Sequence, residues 1–216
     1  DLEDALPRIA KGGFYHAGQV CVSVQRVYAH ESIARQVAET IGTEAQKMPI
    51  GDPTLAETEI GPLIRSKEND RVAEWIGEAV SAGAELVVGG NKVSESCHEA
   101  TVLYDPPSDA KVSTLEIFGP AVCVYPYSDL DEAITRANSL PFAFQSAVCT
   151  QDLDRAMRCF RRLDASAVMV NDHTAFRVDW MPFAGLKHSG YNVGGIHHTM
   201  HDMQIQKMLV LRSSQL

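Results

Sequence analysis

No run of basic residues occurs in this 216-residue chain, whose formal net charge is −9. Binding a nucleic-acid backbone requires clustered Lys and Arg, so no nucleic-acid partner is expected. No apolar stretch has bilayer length and the first residues lack the shape of a signal peptide, so no membrane partner is expected. The five cysteines, Cys21, Cys97, Cys123, Cys149 and Cys159, include no C-x-x-C pair, and their number is odd. A disulfide framework or a zinc knuckle is therefore disfavoured, and reduced thiols in a cytoplasmic setting are expected. No G-x-G-x-x-G or other phosphate-cradling loop precedes a helix. No internal repeat, low-complexity segment or linker divides the chain, which reads as one domain. It begins at Asp1 rather than Met, which reads as a processed piece or a cloned domain.

What is present is an ordinary globular composition, 45% hydrophobic and 22% charged. A domain of this length can bury a sizeable core without staples. Val24–Ala29 reads as a buried strand, and Ser32–Met48 as a helix with Ile33, Val37 and Ile41 at four-residue spacing. A second helix is predicted from Ser66, its possible cap, to Gly83, with Val72, Trp75, Ile76, Ala79 and Val80 as its buried stripe. Strands are predicted at 85–88, 100–104, 121–125, 145–149 and 167–170. Asp129 with Glu132 forms a capping-box signature for a helix to Ala137. Asp152 caps another, with Leu153, Ala156, Met157 and Phe160 on one face. Cys123 and Cys149 lie in apolar runs and read as core residues. Residues 171–201 are rich in Gly and His with little periodicity, and 204–211 alternate weakly like a strand. Strands alternate with helices, and most strands are apolar on both faces. The fold class is therefore α/β, a three-layer αβα arrangement with a mostly parallel sheet.

Three short runs carry chemistry. The first is 14–21 (FYHAGQVC), followed by Arg26; the second is 116–120 (EIFGP); the third is 182–190 (PFAGLKHSG). In this order and at these separations they closely resemble the catalytic domain of the NAD(P)-dependent aldehyde dehydrogenase superfamily. The resemblance also takes in Asp131–Ile134 and Ala137-Asn138 and extends over nearly the whole chain.

The resemblance implies that Cys21 is the catalytic nucleophile. A thiolate adds to an aldehyde carbonyl, the thiohemiacetal gives up hydride to nicotinamide, and water cleaves the resulting thioester. Sulfur suits both attack and departure at neutral pH. Read without the family, a lone Cys is more often a buried and inert core residue. Glu116 would accept hydrogen bonds from the ribose hydroxyls beside the nicotinamide, as carboxylates commonly do with vicinal diols. Phe118 would pack near the same ring. The alternative for Glu116 is a solvated surface carboxylate, and the burial expected around Phe118 argues against it. Val20, Val22, Arg177 and Phe183 are expected to contact substrate. Lys187 and Ser189 read as structural. The cofactor is NAD or NADP, bound mainly by a nucleotide-binding domain that precedes the cysteine motif in the family and is absent from these residues. The domain reading is a thiol-bearing catalytic domain over 1–202 and, over 203–216, a C-terminal strand used in oligomerisation. A homo-oligomer and a small-molecule aldehyde are the expected partners, together with the missing nucleotide-binding domain.

Several features depart from the family pattern. Ala184 replaces the first of two adjacent glycines, so a positive φ there would shift the loop. The Glu that acts as general base and the Asn of the oxyanion site have no counterpart here, so the isolated piece is expected to be inactive. The Cys21 backbone N–H could supply half of the oxyanion site. Val20 is apolar where relatives that accept phosphorylated aldehydes carry Arg. Arg177 lies in the loop that lines the family's substrate tunnel, where a cation suits a small aldehyde with an anionic tail. The alternative is an Arg paired with Asp172 or Asp179. His197 and His201 share a helix face with His198 beside them, but no HExxH pattern is present and no metal is expected. Two neighbouring readings differ in kind. One is an acylating relative that uses CoA in place of water; the other is an inactive homologue serving as an assembly or binding module. A redox-sensing thiol protein would need a resolving cysteine near Cys21.

Overall fold

The structure, a computed structural model, describes residues 1–215. The chain opens with helix α1, Leu2–Phe14, whose first turn is capped by the Asp1 carboxylate accepting from the Asp4 N–H at 3.3 Å. No element is predicted here from sequence, and Pro7, Gly12 and Gly13 are poor helix formers. Leu6, Ala10 and Phe14 nonetheless recur every four residues and are buried.

The elements that follow are β1 (Arg26–His30), α2 (Glu31–Gln46), α3 (Ser66–Ser81), β2 (Glu85–Val88), β3 (Thr101–Tyr104), α4 (Lys111–Thr114), β4 (Ala121–Tyr127) and α5 (Leu130–Asn138). The strands form one sheet in the order β1-β4-β3-β2. Two of the three pairings are parallel and only β2 runs antiparallel, at the edge. Residues alternate across β4. Val122 approaches α1, while Cys123 and Tyr125 face α4, where the Tyr125 hydroxyl donates to Ser113 Oγ at 2.8 Å. Helices therefore cover both faces, as the strands' two-sided apolar character requires. Val102, Leu103, Val122 and Val124 are fully buried with Ile41 and Ile76 of the covering helices. Each contributes roughly 1.5–3 kcal/mol by leaving water.

The rest of the chain forms smaller units. β6 (Gln145–Val148) and β7 (Ala167–Val170) pair in parallel across helix α6 (Leu153–Arg162). β5 (Phe142–Ala143) pairs with β9 (Leu186–Lys187), and β8 (Phe183–Ala184) with β10 (Val193–Gly194). Helix α7, Ile196–Asp202, is the last regular element among the described residues.

Three local expectations are corrected. Ser66 does not cap α3; Arg65 occupies that position with no side-chain bond. The buried face of α6 is Ala156 and Cys159, whereas Leu153, Met157 and Phe160 are exposed. That rotation lets Arg158 and Arg162 reach Asp131 on α5. Cys149 is exposed because it lies just past the end of β6, while Cys123 is fully buried. Burial pushes the Cys123 thiol up to about 12, so it stays protonated and inert near neutrality. Residues 204–211, expected to pair with a neighbouring copy, make no ladder among the described residues, and Ile205, Met208, Leu209 and Val210 are exposed.

Candidate functional site

The cysteine loop is built from strained backbone. After α1, His16, Ala17 and Gly18 take φ of 51°, 55° and 68°, three consecutive left-handed residues. Two of them are not glycine, each costing about 1–2 kcal/mol that surrounding contacts must offset. At Gly18 no other residue fits: a Cβ there would lie 2.1 Å from the Gly119 carbonyl oxygen. The first and second motifs thus touch through backbone.

The loop is fixed at three further points. The Gln19 amide donates to the Pro62 carbonyl at 3.2 Å, and its oxygen accepts from the Ile64 N–H at 2.9 Å. The Ser23 hydroxyl donates to the Gly12 and Gly13 carbonyls, both at 3.2 Å. The Thr174 hydroxyl donates to the Val22 carbonyl at 2.6 Å, tying in the segment that holds Arg177. Between these anchors a tight turn, Ser23 N–H to Val20 carbonyl at 2.9 Å, lifts Cys21 to the tip. Cys21 is exposed, Val22 is buried under it and Val20 is half-buried. The Cys21 N–H has no acceptor among the described residues, which leaves it free to meet an oxyanion.

The 116–120 turn is held mainly through one residue. The Ile117 N–H donates to Gln25 Oε1 at 2.9 Å, and its carbonyl accepts from Arg71 Nη2 at 2.7 Å. The same Gln25 amide donates to the Leu115 and Val112 carbonyls at 2.7 and 3.1 Å. Arg71 in turn is paired with Glu68 at 2.8 Å and lies 4.5 Å from the centre of the Trp75 ring. Glu116 is exposed, with no hydrogen bond or ion pair among the described residues. The burial expected around Phe118 is not found. The ring is 41% exposed, because a φ of 49° turns the residue out of the chain's path.

In the third motif Ala184 is a buried strand residue without positive φ, so the extra methyl group is accommodated. The demanding position is Gly185, where a Cβ would come within 2.1 Å of the Ser189 carbonyl oxygen. Lys187 donates to the Asn138 carbonyl at 2.8 Å and pairs with Asp164, also at 2.8 Å. Ser189 Oγ accepts from the Ala143 N–H at 3.2 Å. Both side chains brace the fold. Phe183 is half-buried, edge-on to Phe144 at 4.8 Å.

Arg177 is exposed and makes no ion pair with Asp172 or Asp179 among the described residues. Its guanidinium sits 4.4 Å from the centre of the Phe183 ring and donates to the Met181 carbonyl at 3.4 Å. An open depression of about 740 Å³ lies beside it, lined also by Asp179, Ile196, Thr199, Met200 and Met203. His197 and His201 are neighbours on α7, with rings 4.7 Å apart. No three His, Cys, Asp or Glu side chains are grouped to hold a metal among the described residues.

Sequence reading missed Gln19, Gln25, Arg71 and Thr174 as parts of this site. The available signal was weak: Gln25 is a polar residue inside the apolar run Val24–Ala29, and such residues usually bond to something. Among the described residues no helix is long and apolar enough to cross a membrane.

Comparison with known proteins adds independent findings. The family model described as "Aldehyde dehydrogenase family" matches residues 1–209. The 3-sulfolactaldehyde dehydrogenase of Priestia aryabhattai is 38% identical over 211 residues, 98% of this chain and 44% of its own length. A lactaldehyde dehydrogenase of Methanococcus maripaludis is 33% identical over 213 residues, 99% of this chain and 45% of its own. Among solved structures, aldehyde dehydrogenase 21 from Physcomitrella patens, in complex with the reaction product succinate, matches with a TM-score of 0.93 at 38% identity. That match covers 98% of this chain and 44% of the other. The glyceraldehyde-3-phosphate dehydrogenase of Methanocaldococcus jannaschii, complexed with NADP, gives a TM-score of 0.90 at 32% identity, covering 94% and 44%. The chain spans less than half the length of these relatives.

Proposed function

Because the chain belongs to the aldehyde dehydrogenase family, we propose that it is the cysteine-bearing part of an enzyme that oxidises an aldehyde to a carboxylate with NAD or NADP. The observation that carries this reading is the exposed Cys21 at the tip of a loop whose Gly18 is packed on the backbone of the 116–120 turn. A buried, inert cysteine would not lie exposed at a loop tip.

The reaction assigns a task to each residue. The Cys21 thiolate attacks the aldehyde carbon, and the Cys21 N–H donates to the oxygen as it gains charge. Once hydride has left that carbon, Cys21 carries a thioester. Water cleaves it, releasing carboxylate and restoring the thiol. NAD or NADP, when bound, supplies the hydride acceptor. The residues present fit that cofactor. Glu116 offers a carboxylate with no partner among the described residues, as two ribose hydroxyls require, and Phe118 presents an open ring face on the same turn. A general base for thioester hydrolysis and a side-chain amide for the oxyanion have no assigned residue here. The 216 residues alone are therefore expected to show no NAD(P)-dependent aldehyde oxidation, whereas a longer polypeptide that adds a nucleotide-binding half is expected to turn over. Steady turnover by the short chain, followed at 340 nm, would contradict this assignment.

The substrate is proposed to be a small aldehyde with an anionic tail. Support comes from Arg177, unpaired by any carboxylate among the described residues and held over Phe183. One relative is named for 3-sulfolactaldehyde and one related structure holds succinate, both anionic. A charge-assisted hydrogen bond contributes about 1.5–3 kcal/mol, so Arg177→Ala in the active polypeptide should raise KM for anionic aldehydes about tenfold or more. KM for neutral aldehydes should stay within about twofold. Equal changes for both classes would argue against the anion reading.

Two further properties belong to the proposal. The segment 204–211, with Ile205 and Met208–Leu211 exposed, suits a strand that joins a second copy's sheet in a homo-oligomer. Five free thiols suit a cytoplasmic setting.

A further inference from the structure

We propose that Gln25 and Arg71 are positioning residues for the cofactor, pinning the N–H and the carbonyl of Ile117 and so fixing Glu116 and Phe118 on either side of it. This inference rests on the reading of the 116–120 turn as the nicotinamide-riboside contact. Glu116 and Phe118 themselves are held by almost nothing: the first has no side-chain partner among the described residues and the second is exposed with a left-handed backbone. A carboxylate and a ring placed this way recognise a ligand only if the backbone between them is rigid. That backbone is the Ile117 residue, whose side chain is buried. Its N–H donates to Gln25 and its carbonyl accepts from Arg71.

Each clamp member is itself locked. Gln25 uses both ends of its amide, donating to Val112 and Leu115 while accepting from Ile117. Arg71 is oriented by Glu68 and Trp75. Gln25 also lies four residues beyond Cys21, and its own carbonyl accepts from the Cys123 N–H at 2.8 Å. The strand that follows the nucleophile therefore carries one jaw of the clamp. α3 carries the other, and its Val72 packs against Gly119. Cofactor turn and cysteine loop are set by one connected group of contacts.

The test uses the active, longer polypeptide. Arg71→Met keeps the stem that covers Trp75 but loses the bond to Ile117; Arg71→Lys keeps one charged donor; Gln25→Glu keeps volume and an acceptor but loses the amide donors, setting a carboxylate against the Val112 and Leu115 carbonyls so that the side chain must leave its place beside Ile117. Arg71→Met and Gln25→Glu should each raise KM for NAD(P) about tenfold, since a misplacement on the scale of an ångström costs that much or more. KM for the aldehyde should stay within about twofold, and Arg71→Lys should recover part of the loss. A purely structural role would lower thermal stability without separating the two KM values. An unchanged cofactor KM in folded Arg71→Met overturns the proposal, as does a parallel rise in both KM values. Glu116→Gln is the control for the underlying reading. If it moves cofactor KM while the clamp variants do not, only the clamp is wrong. If Glu116→Gln leaves cofactor KM unmoved as well, the turn is not the cofactor site and the proposal falls with it.

Discussion

Replacing Cys21 by Ala in the active polypeptide is expected to lower kcat about a thousandfold or more, with cofactor affinity within about twofold of the parent. The size follows from the loss of a covalent route. Without sulfur no thiohemiacetal forms, and the aldehyde carbon has no anionic adduct from which hydride can leave. Cys149→Ser is the matched control, because Cys149 is the other exposed thiol. It should leave kcat unchanged. Cys123 is a second comparison of a different kind: buried and protonated, it is unable to substitute for Cys21. Activity retained in Cys21→Ala would remove the nucleophile from the account.

The second large effect is on folding. Gly18→Ala would place a methyl carbon 2.1 Å from the Gly119 carbonyl oxygen, at a residue with φ of 68°. Neither partner is a flexible side chain, so the backbone of one motif must move away from the other. Overpacking of this kind costs typically 1–3 kcal/mol, and the left-handed conformation adds about 1–2 kcal/mol for a residue with a Cβ. A total near 3 kcal/mol predicts a fall in Tm of roughly 6–12 °C for a domain of this size. Thermal unfolding by circular dichroism measures it. The displaced loop should also lose its catalytic geometry, so the folded fraction should remain poorly active. A variant as stable and as active as the parent would mean that the cysteine loop and the 116–120 turn are not packed as described.

Much of this architecture was legible because the local rules agree. β4 and α5 follow directly from an apolar run, AVCVY, and from Asp129, whose carboxylate accepts from the Asp131 and Glu132 N–H groups. α1 was hidden because Pro7 and a pair of glycines resemble chain breakers, whereas the real determinant is tertiary: Leu6, Ala10 and Phe14 are buried, and α1 packs against α2. The apolar stripe predicted for α6 failed for a similar reason. Ion pairs from Arg158 and Arg162 to Asp131 accompany a different buried face. At the proposed site, Cys21, Glu116 and Phe118 are suggested by motifs, since glycines and a thiol at fixed spacing leave a mark. Their supports could not. Gln25 bonds to residues about ninety positions away and Arg71 to a residue 46 positions away, and nothing local distinguishes such a Gln or Arg from a solvated one. Likewise Phe118 reads as buried by its type, and only its backbone φ shows why it is not.

The central claim is that the Cys21 sulfur bonds to the substrate carbon, and the most direct measurement is mass spectrometry of the active polypeptide quenched in acid during turnover. An acyl group should be found on the tryptic peptide Gly12–Arg26, localised to Cys21, and it should disappear when substrate is exhausted. An acyl group found on Cys149 instead, or none on any cysteine while product accumulates, would contradict the account.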